Sequence, residues 1–260
     1  IKNPNDHCVK PVQRALMFRE FKIPAPLKNG SKIGITGPSG GVKEILHPRL
    51  DLVIKHLQDL GFNVKEGVCL RDEFKHVSAE KIKRANELQL FLEDDNIDAI
   101  CPPWGGEILI EIFPHLDFEK ISRSKPKWIT SYSDISTLHF AITSITGICT
   151  AHTPNLMDLA PPLAESQDFL THKVFEILSM PHGSLIEQNS TRYFQKSSWT
   201  DYIKNPAATF MPDLKTEWKS LNNDKKLNFS GRLIGGCLDT ISCLTGTPYG
   251  NLNDFRLAAG

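Results

Sequence analysis

Between Leu27 and Met157 the sequence repeats one unit: a short apolar run, a tight turn, then apolar residues at helical spacing. "KIGITGPSGG" is an apolar run entering a Gly/Pro/Ser turn. "HPRLDLVIKHLQDLGF" follows, with Leu50, Val53, Ile54, Leu57 and Leu60 on one helical face and Gly61 as its stop. "NVKEG" reads as a second strand, and "SAEKIKRANELQLFLEDD" as a helix capped by Ser78. "IDAICPPWGGE" and "KPKWITSYSD" supply a third and a fourth strand, a helix begins at Asp134, and "GICTAHTPN" reads as a fifth strand. Strand and helix alternating at this spacing predict a parallel sheet with helices on both faces. The expected fold class is α/β, a flavodoxin- or Rossmann-like domain over residues 27–160.

Outside that span the rhythm is lost. Residues 1–26 read as an extension punctuated by Pro4, Pro11, Pro24 and Pro26, with room for a short helix from Ala15 to Phe21. Residues 161–230 read as a connector: one amphipathic helix ending near Met180, then a polar stretch without period. "GRLIGGCLDTISCLTGTPYG" predicts a strand, a double-glycine turn at Gly235 and a short helix, the beginning of a C-terminal domain over 231–260. Leu233, Ile234, Leu238, Ile241 and Leu244 need a surface to pack on, so the chain is expected to be incomplete as it stands.

Composition removes several classes of function. Thirty basic residues balance thirty acidic ones, which argues against nucleic acid or an anionic membrane as partner. No apolar run nears the roughly 20 residues of a membrane span. The six cysteines form no CxxC pair and no Cys/His cluster. They read as reduced thiols in a reducing compartment such as the cytoplasm, and no metal is expected.

Ligands of open α/β sheets bind at the carboxyl ends of the strands. Three turns fall there: "GPSGG" (37–41), "PPWGGE" (102–107) and "SYSD" (131–134). The first resembles a phosphate cradle but lacks the Lys-Ser/Thr of a P-loop, and a tight strand–helix turn explains it as well. Ser133 lies between strand and helix, where a hydroxyl can be a nucleophile and the amide after it can hold an oxyanion. An N-cap serine needs the same placement. Gly105 and Gly106 let backbone approach a bound group closely. Cys101 ends a strand and is a rival nucleophile, discounted because Pro102 and Pro103 prevent the helix start that would activate it. His139 is turned away along its helix, while His152 and Glu107 have ordinary readings as a loop histidine and a helix-start carboxylate. None is assigned as the base. Arg192 and Tyr193 read as surface loop, and Trp104, Trp199 and Trp218 as packing.

Taken together and in order, "LKNGSKIGITGPSGG", "LQDLGFNVKEG", "SAEKIKRANELQLFLEDDNIDAICPPWGGE", "LDFEKISRSKPKWITSYSDISTLHFAIT" and "GRLIGGCLDTISCLTGTPYG" resemble the LD-carboxypeptidase family of serine peptidases. The "PPWGGE" and "GGCLDT" forms are similar to its microcin-C-immunity-like branch. The resemblance implies Ser133 as nucleophile, with Gly105 or Gly106 and the Asp134 amide as oxyanion donors. It also implies a homodimer of two-domain subunits, with no metal or organic cofactor. The substrate would be a murein-peptide-like or peptidyl-nucleotide-like small molecule. The family's triad is Ser-Glu-His, and its Glu and His would fall beyond the segment matching "GTPYG". The alternative is a binding homologue that has lost the triad.

Overall fold

The computed structural model describes residues 20–161, 173–196, 201–220 and 228–250. Four parallel strands form its centre: β1 (Lys32–Ile35), β2 (Asn63–Glu66), β3 (Ala99–Ile100) and β4 (Trp128–Ile129), in the order β2-β1-β3-β4. The helices between them are α1 (His47–Asp59), α2 (Lys81–Glu93) and α3 (Phe118–Arg123), with α4 (Ile135–Thr146) after β4. A 3-10 helix, Leu109–His115, precedes α3.

The two-residue period of the strands separates two cores. Ile33, Ile35, Ala99 and Cys101 face Leu50, Val53, Ile54 and Leu57 of α1. Ile100 and Ile129 face the opposite way, toward Leu88 of α2 and Leu138, Ala141 and Ile142 of α4. Each of the wholly buried isoleucine, leucine and valine side chains among them contributes about 1.5–3 kcal/mol relative to exposure. Gly34 points into the second core, where an added Cβ would meet the Phe91 ring at 2.8 Å. The missing side chain lets α2 lie close to β1.

The sequence places most of these elements correctly, and the differences have physical reasons. Leu60 lies past the last turn of α1 and is 47% exposed, leaving the apolar face at Leu57. Ser78 caps nothing: α2 begins at Lys81, and the Ser78 hydroxyl instead donates to the Gly37 carbonyl. The fifth strand is an extended segment rather than a regular strand. Ile148 bridges to Lys22, the Ala151 amide donates to Ile129 O (2.9 Å), and the Thr153 amide donates to Ser131 O (3.2 Å). It nevertheless flanks β4, which leaves the topological switch point between β1 and β3.

Beyond residue 160, α5 (Val174–Leu178) packs on the α1 side, and β5 (Tyr193–Phe194) pairs antiparallel with β6 (Leu214–Lys215), a ladder the polar sequence did not announce. The expected strand before Gly235 does not form, while the expected short helix does, as α6 (Leu238–Ile241). Leu244 and Tyr249 join the core around Phe113 and Phe118, with Ile234 and Ile241 packed against it. Leu233 and Leu238 stay 91% and 77% exposed. The Ala15–Phe21 helix and Trp199 fall wholly or largely outside the described residues.

Candidate active site

Two residues of the turn after β4 have left-handed backbone, Ser131 at φ 93° and Ser133 at φ 62°. For a residue with a side chain this costs roughly 1–2 kcal/mol each. Surrounding groups hold the turn in place. Ser131 Oγ donates to Pro102 O (2.9 Å), and its amide donates to Thr153 Oγ1 (3.0 Å). The Tyr132 amide donates to Asn155 Oδ1 (3.3 Å), and Ser133 O accepts from the Ser136 amide (2.9 Å) and from Thr240 Oγ1 (3.3 Å).

The helix cap is Asp134, in right-handed conformation. Ser133 therefore does not serve as the N-cap. Its side chain is half-buried, and among the described residues its hydroxyl makes no hydrogen bond. The Asp134 amide lies at the N-terminus of α4, where the helix dipole favours negative charge.

The three turns picked out in the sequence meet at this point. A Cβ on Gly105 would stand 2.7 Å from the Asp134 amide nitrogen and 3.0 Å from Ser133 Oγ. On Gly106 it would stand 2.2 Å from Ser39 Oγ. Ser39 in turn donates to Asp134 Oδ2 (2.6 Å), which also accepts from the Leu109 amide (2.8 Å). The Gly40 amide donates to Gly105 O (3.0 Å), and Trp104 Nε1 donates to Gly41 O (2.9 Å). Trp104 thus ties two turns together. The glycines of the "GPSGG" turn serve close packing, since Cβ positions on Gly37 and Gly41 are already occupied by the carbonyls of Cys69 and Asp72, and the Gly37 and Gly40 amides donate to Cys69 O (2.8 Å) and Gly105 O (3.0 Å).

His139 is buried on α4, and its Nε2 lies 3.0 Å from Ser131 O. A carbonyl only accepts, so Nε2 carries the proton, and the buried Nδ1 has no partner among the described residues. Burial pushes this imidazole down to about 4. Between pH 6.5 and 4 the unfolded chain takes up a proton that the folded chain refuses. Stability is therefore lost as the pH falls through that window, by about 3 kcal/mol in all. His139→Gln, which can still donate to Ser131 O, is expected to flatten the acid limb of a denaturation series over this range. An unchanged slope would show that His139 does not carry it.

The remaining candidates separate clearly. Cys101 is wholly buried and its thiol is pushed up to about 12 by desolvation, which removes it as a nucleophile. Glu107 precedes the 3-10 helix without beginning it and is exposed. His152 lies beside Tyr132, ring centroids 6.4 Å apart, with its Nε2 3.9 Å from Cys237 Sγ. Arg192 and Tyr193 are exposed, as expected of a surface segment. Trp218 is 84% exposed and does not pack. The second double-glycine turn docks beside the site: the Cys237 amide donates to Ser136 Oγ (3.0 Å), and a Cβ on Gly236 would meet Ser136 at 2.5 Å. Ser39, Thr153 and Asn155 were not singled out in the sequence. Only Ser39 carried a signal, its place between the glycines of the first turn. Among the described residues no group of three His, Cys, Asp or Glu could hold a metal ion. No described helix is long and apolar enough to cross a membrane.

A parallel sheet covered on both faces, with glycine turns and a left-handed serine converging at its carboxyl edge, defines an α/β domain. Residues 33–153 match the LD-carboxypeptidase N-terminal domain. A Vibrio cholerae protein whose carboxypeptidase name is provisional is 31% identical over 229 residues, 86% of this chain and 64% of that protein. A Bacillus subtilis protein named as a probable murein peptide carboxypeptidase is 26% identical over 87% of this chain and 60% of its own length. The chain thus spans somewhat under two thirds of these relatives. The solved structure of the microcin C7 self-immunity protein MccF with aspartyl sulfamoyl adenosine superposes with a TM-score of 0.71 at 25% identity, over 88% of this chain and 67% of that one.

Proposed function

We propose that this chain is the nucleophile-bearing part of a serine hydrolase that cleaves a terminal peptide or amide bond in a small substrate. The observation that carries the reading is the strained Ser133 at the strand–helix junction, its hydroxyl making no hydrogen bond among the described residues, with Gly105 pressed against it and against the Asp134 amide. Strain of this kind persists where the surrounding structure enforces it, and functional turns are its usual place.

In the reaction, a general base takes the proton from Ser133 Oγ while the oxygen bonds to the scissile carbonyl carbon. The developing oxyanion is held by the Asp134 amide and by the Gly105–Gly106 turn. The C–N bond then breaks and the leaving amine takes the proton. Water hydrolyses the acyl-enzyme by the same route in reverse. The base is a histidine oriented by a glutamate, both outside the described residues. No metal or organic cofactor takes part. The protein works as a homodimer in the cytoplasm.

The relatives' names bound the substrate: a murein peptide for one, an aspartyl sulfamoyl nucleoside bound by another. Full-length protein incubated separately with a murein tetrapeptide ending in a D-residue and with aspartyl sulfamoyl adenosine is expected to cleave one of them, read as the released amino acid by mass spectrometry. Binding of either without turnover would favour the alternative, a binding homologue without a working triad.

A further inference from the structure

The strained turn is also held by a chain of polar contacts that leaves the sheet and ends in the connector. Asn155 Oδ1 accepts from the Tyr132 amide (3.3 Å), and the Asn155 amide donates to Asp158 Oδ2 (3.1 Å). Asp158 Oδ1 accepts from the Tyr202 hydroxyl (3.0 Å). Tyr202 lies under the Arg49 guanidinium, 4.0 Å from ring centroid to Cζ. Arg49 is wholly buried and pins the same connector segment, its Nη1 donating to Pro206 O and Ala208 O at 2.8 Å each.

Asn155 and Asp158 also form a capping box around the 3-10 helix Leu156–Asp158. Capping alone would account for that pair. It does not account for the two contacts at its ends. One holds the peptide between the left-handed residues Ser131 and Ser133, and the other reaches a tyrosine 44 positions away. Asn155, Asp158 and Tyr202 all lie outside residues 33–153, the part matched by the family domain.

We propose that Asn155 and Asp158 are positioning residues for Ser133, and that Tyr202 makes the geometry of the nucleophile turn depend on the seating of connector residues 201–208. This rests on the serine-hydrolase reading. With Asn155 unable to hold the Tyr132 amide, the turn relaxes toward unstrained backbone and carries the Ser133 hydroxyl off line. A misplacement of about 1 Å costs on the order of 100-fold in rate.

The test uses full-length protein with Asn155→Ala, Asp158→Ala, Asp158→Asn and Tyr202→Phe. Turnover is measured alongside hydrogen exchange of the 131–136 amides, with the amides of α1 and α2 as internal reference. Asn155→Ala is expected to lower kcat about 100-fold with KM within about twofold, and Tyr202→Phe to lower kcat about tenfold. Exchange should rise at 131–136 and not in α1 or α2. Asp158→Asn, which keeps an acceptor and can still meet the tyrosine hydroxyl, should recover most of what Asp158→Ala loses. Unchanged exchange at 131–136, or exchange rising equally in α1 and α2, would overturn the proposal, as would an unchanged kcat in a wild type that turns over. Faster exchange confined to 131–136 in a protein whose wild type cleaves nothing would uphold the coupling and defeat the hydrolase reading instead.

Discussion

Ser133→Ala is expected to reduce hydrolysis roughly a millionfold, as loss of the nucleophile does in serine peptidases, and to leave the fold intact. The hydroxyl makes no hydrogen bond to another described residue, so its removal strands no partner, and stability should change by no more than about 0.5 kcal/mol. Ser133→Gly separates function from strain more sharply. At φ 62° the serine Cβ is unfavourable, and glycine adopts that backbone freely. The glycine variant should be equally inactive yet more stable, by about 1 kcal/mol. Urea denaturation checks this. A destabilised glycine variant would mean that the turn is not strained in solution.

Gly105→Ala is expected to be damaging for a different reason. Its Cβ would come within 2.7 Å of the Asp134 amide nitrogen and 2.8 Å of Ser133 Cβ. Neither neighbour is the free end of a flexible side chain. One is the helix-start backbone, and the other is fixed by the turn. Overpacking of this sort costs about 1–3 kcal/mol. Catalysis should suffer more than stability, because the displaced groups are the proposed nucleophile and the proposed oxyanion donor: a fall in kcat of about 100-fold or more, with KM little changed. Circular dichroism and steady-state kinetics on the same preparation decide it. Wild-type kcat in a folded Gly105→Ala protein would show that the two turns are not in contact during turnover.

The sequence revealed what depends on period and punctuation. Leu50, Val53, Ile54 and Leu57 recur at helical spacing and do form the buried face of α1. The three turns could be located because glycine, proline and serine interrupt apolar runs at strand ends, and they do converge. Readings that depended on a partner elsewhere in the chain fared worse. Ser78 looked like a helix cap because it precedes a helix, but a hydroxyl serves the nearest unpaired acceptor, here Gly37 O. The apolar residues after Gly231 looked like a strand, but a strand needs a neighbour to pair with, and among the described residues none lies beside them. The bonds Ser39–Asp134 and Asp158–Tyr202 join residues far apart in sequence, and no local pattern marks them. The sequence could therefore place the serine turn after β4 without showing what holds it strained.

The central claim is that Ser133 is a nucleophile held ready by its turn. A fluorophosphonate, which bonds covalently to activated serines, tests this without any choice of substrate. Full-length protein treated with it and digested should carry one adduct, on the peptide containing Ser133, and Ser133→Ala should carry none. An adduct on a different residue, or none on native protein that is folded and binds a family ligand, would contradict the claim.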